Sequence, residues 1–222
     1  MDRWATFDCY GTLIDWMGGI RATLARLFPD RDAEALLARY HRIEPAVQEG
    51  RDLPYREVLT ESLVRLAAEE GLALADADAS ALADSLPSWP PFPEVADSLA
   101  ELRDAGWRIA ILSNTDPDLL DASLRAIGVP VDLRITAAEA GSYKPAHGHW
   151  ERFAAETGAA RERHAHVAAS LFHDVAPAAE LGIPCVWINR QAEVTDLPRA
   201  AELPDLHGLA AVLERIRPAA RG

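Results

Sequence analysis

The chain has 222 residues, 49% of them hydrophobic, and a formal net charge of -13. That apolar share supplies a full core and argues against global disorder, and the length suits one large domain or a core with an inserted module. So acidic a chain would be repelled by a phosphate backbone or an anionic bilayer, which excludes nucleic acid and membrane as expected partners; a small anionic substrate stays open, because local positive groups can override the global sign.

Residues 4–9 form a short apolar run ending in Tyr10-Gly11-Thr12, the pattern of a buried strand entering a turn. Helical spacing follows in Ile20, Leu24, Leu27 and Phe28, then in Leu36, Tyr40, Ile43 and Val47, then in Val58, Leu59, Leu63, Leu66 and Ala67. Asp30 and Asp32 favour a turn between the first two helices, and Asp52-Leu53-Pro54 breaks before the third. The Ala-rich residues 72–86 are ordinary helix-forming sequence, and Trp89-Pro90-Pro91-Phe92-Pro93 is a stiff connector.

After that connector the period changes. A helix over 94–105 stops at Gly106, and a strand over 107–112 follows. Asp116-Pro117 opens a helix that ends at Gly128, and residues 131–136 are a strand. A helix over 149–157 stops at Gly158, and a strand covers 166–169. Asp174 caps a helix ending near Gly182; a strand over 185–188 and a helix over 206–216 close the chain. Alternating strands and helices predict an α/β fold: a Rossmann-like, doubly wound parallel sheet, with helices on both faces. The expected division is a catalytic core of residues 1–14 and 93–222 with an inserted helical cap domain over 15–92.

No secretory leader precedes Cys9, and no apolar run is long enough to cross a bilayer. Cys9 and Cys185 therefore read as reduced core thiols of a cytoplasmic protein. His147, His149, His164 and His166 form two pairs with one residue between members. No cysteine or acid lies at ligand spacing from them, so they read as solvated or structural, and no metal site is expected.

In a doubly wound sheet, ligands bind at the carboxyl ends of the strands. Those ends carry Asp8, then Ser113-Asn114, then Lys144 beyond the third strand and Asp174 past the fourth. Residues so scattered in sequence would converge at one sheet edge, which is the pattern of an active site.

These residues also carry a resemblance. Phe7-Asp8-Cys9-Tyr10-Gly11-Thr12-Leu13 resembles the first motif of the haloacid dehalogenase superfamily, Leu112-Ser113-Asn114 the second, Lys144-Pro145 the third, and Ser170 through Asp174 the fourth. Order and spacing fit across the whole chain, including a helical cap after the first motif. The resemblance implies that Asp8 is a carboxylate nucleophile, kept ionised by Lys144, with Thr12 beside it and Asp174 positioning or activating water.

Tyr10 stands where phosphatases of this superfamily carry a second Asp, and the L-2-haloacid dehalogenases have Tyr there, since a halide leaves without a proton. Ser170 stands where magnesium-dependent members usually have an acid. Both substitutions imply a metal-independent site with no cofactor; magnesium would be expected only of an atypical phosphatase. A non-catalytic ligand-binding protein on the same fold is the third alternative.

Within the cap, Arg39-Tyr40-His41-Arg42-Ile43-Glu44 resembles the dehalogenase segment whose arginine receives the halide. Arg39 matches by its five-residue offset from Glu44, and Arg42 competes with it. Asn114 would be the core-side halide partner, while Ser113, Thr12 and nearby backbone N–H groups would hold the substrate carboxylate. Three positions depart from the best-known dehalogenases: Leu171 replaces an Asn, Trp150 replaces a Tyr, and His173 precedes Asp174 where an aromatic is common. Tyr10, Trp150, Ser170 and His173 are the further expected substrate contacts. The expected reaction turns a short 2-haloacid into a 2-hydroxy acid through an ester on Asp8, and related dehalogenases suggest a homodimer.

Overall fold

A computed structural model describes residues 2–48, 50–51 and 53–217. The expected break at Asp52 lies outside these residues. Strand β1 (Arg3–Phe7) is followed by four helices, α1 (Trp16–Leu27), α2 (Ala33–Gln48), α3 (Tyr55–Glu69) and α4 (Ala81–Ser85). The α/β part then runs α5 (Val95–Asp104), β2 (Trp107–Ser113), α6 (Pro117–Ile127), β3 (Leu133–Thr136), α7 (Ala137–Ala140) and α8 (Gly148–Thr157). It ends with β4 (His164–Ala168), α9 (Ala176–Glu180), β5 (Cys185–Ile188), β6 (Ala201–Leu203) and α10 (Leu209–Ile216).

The strands form one parallel sheet in the order β3-β2-β1-β4-β5-β6. Every residue of β1 is buried, as a central strand covered on both faces requires. Alternate strand residues feed two apolar clusters. Phe7, Ile109, Ile111, Val167 and Ile188 join one, continuous with Ile20, Leu24, Tyr40 and Leu63 of the helical insert. Trp4, Leu112, Ile135 and Trp187 face the other, with Trp150 and Phe153 of α8.

The chain passes to β2 on one side of β1 and to β4 on the other, so the strand order reverses at the carboxyl end of β1. That switch point is where an open α/β sheet leaves a crevice between diverging connections. Asp8 is the first residue beyond it.

Three local expectations are corrected. Residues 201–203 form a sixth, edge strand, too short for a periodic signal. Asp174 does not cap a helix: the backbone passes through a π turn at Leu171–Val175, capped by Ser170, whose hydroxyl accepts from the His173 N–H at 3.0 Å, and α9 begins only afterwards. Pro177, which has no N–H, removes one donor from this segment. The Ala-rich residues 72–86 yield only α4 between two short 3₁₀ turns, Asp76–Asp78 and Leu86–Ser88, since Asp76, Asp78 and Ser80 favour turns over helix interior. Among the described residues, no helix is long and apolar enough to cross a membrane.

Candidate active site

Asp8 continues the β1 ladder by one bond, donating its N–H to the Val167 carbonyl at 3.1 Å. The chain then turns sharply. Gly11 has φ +87, a region that costs a side chain dearly, and Leu13 and Ile14 both donate their N–H to the Cys9 carbonyl. The turn brings Thr12 back over Asp8, and its hydroxyl donates to Asp8 Oδ2 at 2.9 Å. The same hydroxyl accepts from the Ala169 N–H at 2.9 Å, which ties the turn to the end of β4.

Lys144 reaches Asp8 from the loop between α7 and α8. Its ammonium donates to Asp8 Oδ1 at 2.8 Å, to the Leu112 carbonyl at 2.8 Å and to Asp174 Oδ1 at 2.7 Å. All three of its protons are thus used, in a side chain only 1% exposed. Asn114 sets the backbone from which Lys144 projects, accepting from the Lys144 N–H at 2.7 Å and donating to its carbonyl at 2.9 Å.

Burial dominates the electrostatics but does not always win. For Lys144 it works against the charge, and the two carboxylates outweigh it and hold the ammonium above its ordinary pKa. For Asp174 burial is again the largest influence, yet Lys144 and His166 together hold the carboxyl well below its usual range. For Asp8 burial prevails and lifts the carboxyl, with Lys144 and Thr12 opposing. The centre therefore contains one firmly protonated lysine and one firmly ionised aspartate, with a more basic aspartate at the strand end.

A second set of buried groups backs Asp174. His166 Nε2 lies 3.0 Å from Asp174 Oδ1, and its Nδ1 lies 2.8 Å from the Thr6 hydroxyl. That hydroxyl also lies 2.8 Å from His164 Nε2. Residues two apart on a strand share a face, and the parallel register sets Thr6 opposite His166. His149, His164 and His166 are buried and structural, the second of the two readings that the sequence leaves open for them. Burial pushes His149 down to about 4 and His164 down to about 3.

The cleft above Asp8 has a volume of about 510 Å³. Its core side includes Asp8, Tyr10, Asn114, Lys144, Ser170, His173 and Asp174, so most of the expected residues meet here. Tyr10 is tied back by a 2.9 Å bond between its hydroxyl and Ser123. Ser170 Oγ lies 3.1 Å from His173 Nδ1, and burial lowers the His173 pKa.

Four expectations about placement need correction. Arg39 does not line the cleft: its guanidinium pairs with Glu70 at 2.7 Å and Glu69 at 3.6 Å, with the side chain 43% exposed. The competing Arg42 is exposed and does not line the cleft either. Trp150 is buried behind the site, its ring edge-on to His166 with centroids 5.3 Å apart. Ser113 is also buried outside the cleft lining, and its carbonyl bonds His149 at 3.1 Å.

Sequence reading missed the residues that α2 does turn to the cleft, His41, Glu44, Pro45 and Gln48. Their i, i+3, i+4 and i+7 spacing marks one helix face and was available in the sequence. His41 stacks on Trp16 with centroids 5.0 Å apart, and Trp16 Nε1 donates to the Tyr55 hydroxyl at 3.0 Å. Burial raises the Glu44 carboxyl to about 7, with Tyr55 opposing. Arg190 was missed too. It lines the cleft, stacks on Phe92 at 3.6 Å, and donates through Nη2 to the Thr12 carbonyl and to Glu94.

A family model of haloacid dehalogenase-like hydrolases matches residues 3–182. The (S)-2-haloacid dehalogenase of Pseudomonas sp. (strain YL) is 30% identical over 96% of this chain and 94% of its own length. Two solved structures share the fold. The L-2-haloacid dehalogenase RSc1362 superposes with a TM-score of 0.86 at 24% identity, covering 96% of this chain and 99% of that one. The L-2-haloacid dehalogenase from Xanthobacter autotrophicus with chloropropionic acid covalently bound superposes with a TM-score of 0.84 at 23% identity, covering 97% and 99%.

Proposed function

Since the chain belongs to the haloacid dehalogenase-like hydrolases, we propose that it is a 2-haloacid dehalogenase working through an ester on Asp8. The observation that carries this reading is the residue two places after Asp8. A leaving group that needs a proton would call for an acid there, and Tyr10 is held by Ser123 with its pKa raised, by burial above all. Its hydroxyl keeps its proton. A halide departs without one. The relatives named for haloacid dehalogenation over nearly the whole chain support the same choice.

In the first step, an Asp8 oxygen attacks C2 of the haloacid in line with the carbon–halogen bond. The new C–O bond forms as the halide leaves with the bonding pair. Burial makes Asp8 the more basic carboxylate, while Lys144 and Thr12 fix its direction. In the second step, water attacks the ester carbonyl carbon of Asp8 and gives one proton to Asp174. Cleavage of the acyl C–O bond releases the 2-hydroxy acid, whose alkoxide takes that proton, and the remaining water proton leaves the regenerated Asp8 for solvent.

The site needs no metal in this reading. Asp8 and Asp174 each give one oxygen to the Lys144 ammonium, and neither Tyr10 nor Ser170 adds a carboxylate, so the donor set fits magnesium poorly. The test is a screen of short 2-haloacids and phosphate esters in a strong chelator, with halide and phosphate both measured. Halide release that survives the chelator and vanishes in Asp8→Asn is the expected result. Phosphate release that requires magnesium would replace this reading with a phosphatase.

A further inference from the structure

Asp174 uses its two oxygens unequally. Oδ1 is 2.7 Å from the Lys144 ammonium and 3.0 Å from His166 Nε2, while Oδ2 is buried with no hydrogen-bond partner among the described residues. A carboxylate held below its usual pKa only accepts, so His166 Nε2 carries the proton and donates. Asp174 is itself a residue of the cleft lining.

Resting on the dehalogenase reading above, we propose that His166 is the positioning residue of the hydrolytic step: by holding Asp174 Oδ1, it leaves Oδ2 to accept the proton of the water that cleaves the Asp8 ester. The ammonium of Lys144 alone would not select an oxygen, because it can bond either one as the carboxylate turns. A second donor on Oδ1, fixed in a packed wall, removes that freedom. The wall is present. His166 is fully buried, Thr6 takes its other nitrogen at 2.8 Å, and Trp150 lies edge-on against the ring. Displacement of halide uses Asp8, Thr12 and Lys144, none of which His166 bonds, so the two half-reactions should separate when His166 is changed.

The experiment compares wild type, His166→Leu and His166→Gln on L-2-chloropropionate. Halide release is followed before and after the first turnover, and the mass of the quenched protein is recorded. In His166→Leu, one equivalent of chloride should appear in a burst. Thereafter kcat should fall about 10- to 100-fold, the range set by losing much of a general base's contribution. KM should fall with it, leaving kcat/KM near wild type, because that ratio reports the steps through halide release. The quenched protein should carry the added mass of a 1-carboxyethyl group, CH(CH3)COOH, in ester linkage on Asp8. His166→Gln, which can keep an N–H near the Nε2 position, should recover most of kcat.

Equal falls in kcat and kcat/KM with no accumulated ester would overturn the role, since a loosened fold slows both halves. If His166→Leu does not fold, Thr6→Val serves instead. It removes the hydroxyl that holds the ring and should accumulate ester to a lesser degree; no accumulation there would equally overturn the proposal. No chloride release by wild type would overturn the dehalogenase reading and this role with it, whereas turnover by wild type with an unchanged His166→Leu would overturn this role alone.

Discussion

Lys144 shows how a single side chain can set the charge state of its surroundings. Its aliphatic stem is buried with its ammonium, and the desolvation cost is offset because each proton has an oxygen to meet. Arg39 is the opposite case, a half-exposed guanidinium paired with glutamates away from the cleft. Pairs of that kind contribute little, so Arg39→Ala should leave kcat/KM within about twofold of wild type. A larger kcat loss in steady-state assays would return this arginine to the chemistry.

Glu44 is the residue whose burial should be visible in stability. Its pKa stands at about 7 against an ordinary 4.5. Below the lower value, folded and unfolded chains both hold the proton. As pH rises between the two, the unfolded chain releases it first and binds fewer protons than the native state, so stability falls; the loss reaches about 3 kcal/mol above pH 7. Glu44→Gln stays neutral throughout. It should melt close to wild type near pH 4 and clearly above it at pH 8. A melting difference that does not change with pH would contradict the burial argument.

Among the elements, α1 depends on a residue with no side chain. Gly19 lies against the ring of Trp89, and a Cβ built there would sit 2.4 Å from two of its ring atoms. Trp89 cannot easily move aside, being buried and bonded through Nε1 to Ser85 at 3.1 Å. Gly19→Ala gains up to about 1 kcal/mol in helix propensity but pays overpacking of about 1–3 kcal/mol. A net fall in melting temperature is expected, and a rise would show that the connector yields. The π turn at residues 171–175 follows the same logic of local demand. Ser170 caps it, and within it Asp174 reaches Lys144 and His166 while Phe172 stays on the surface.

At the scale of the molecule, one carboxylate joins the insert to the core. Helix α3 starts after Pro54 with no side-chain cap of its own, and Asp116, at the start of α6, accepts from the N–H groups of Tyr55 at 2.8 Å and Arg56 at 3.0 Å. It caps a helix distant in sequence and lies at the favourable end of that helix dipole. Asp116→Ala should cost about 1–2 kcal/mol in denaturant unfolding. Asp118→Ala, which removes an exposed partner of Arg56, should stay within about 0.5 kcal/mol. Equal losses in the two variants would deny Asp116 this capping role.

The sequence alone determined the parallel α/β plan, the helical insertion after the first strand, and the meeting of Asp8, Lys144 and Asp174. Those features rest on local periodicity, on turn residues and on the rule that parallel strands end at one edge, none of which needs coordinates. Tertiary structure decided which face of α2 looks into the cleft. Arg39 and His41 lie two residues apart, hence roughly 200° around the helix, so a match by sequence offset to Glu44 selected the wrong side. It also decided that Thr6, His164 and His166 would back Asp174. Their meeting depends on the register of β1 against β4 and on the π turn after β4, and such pairings across distant segments are set by packing rather than by any local run of residues.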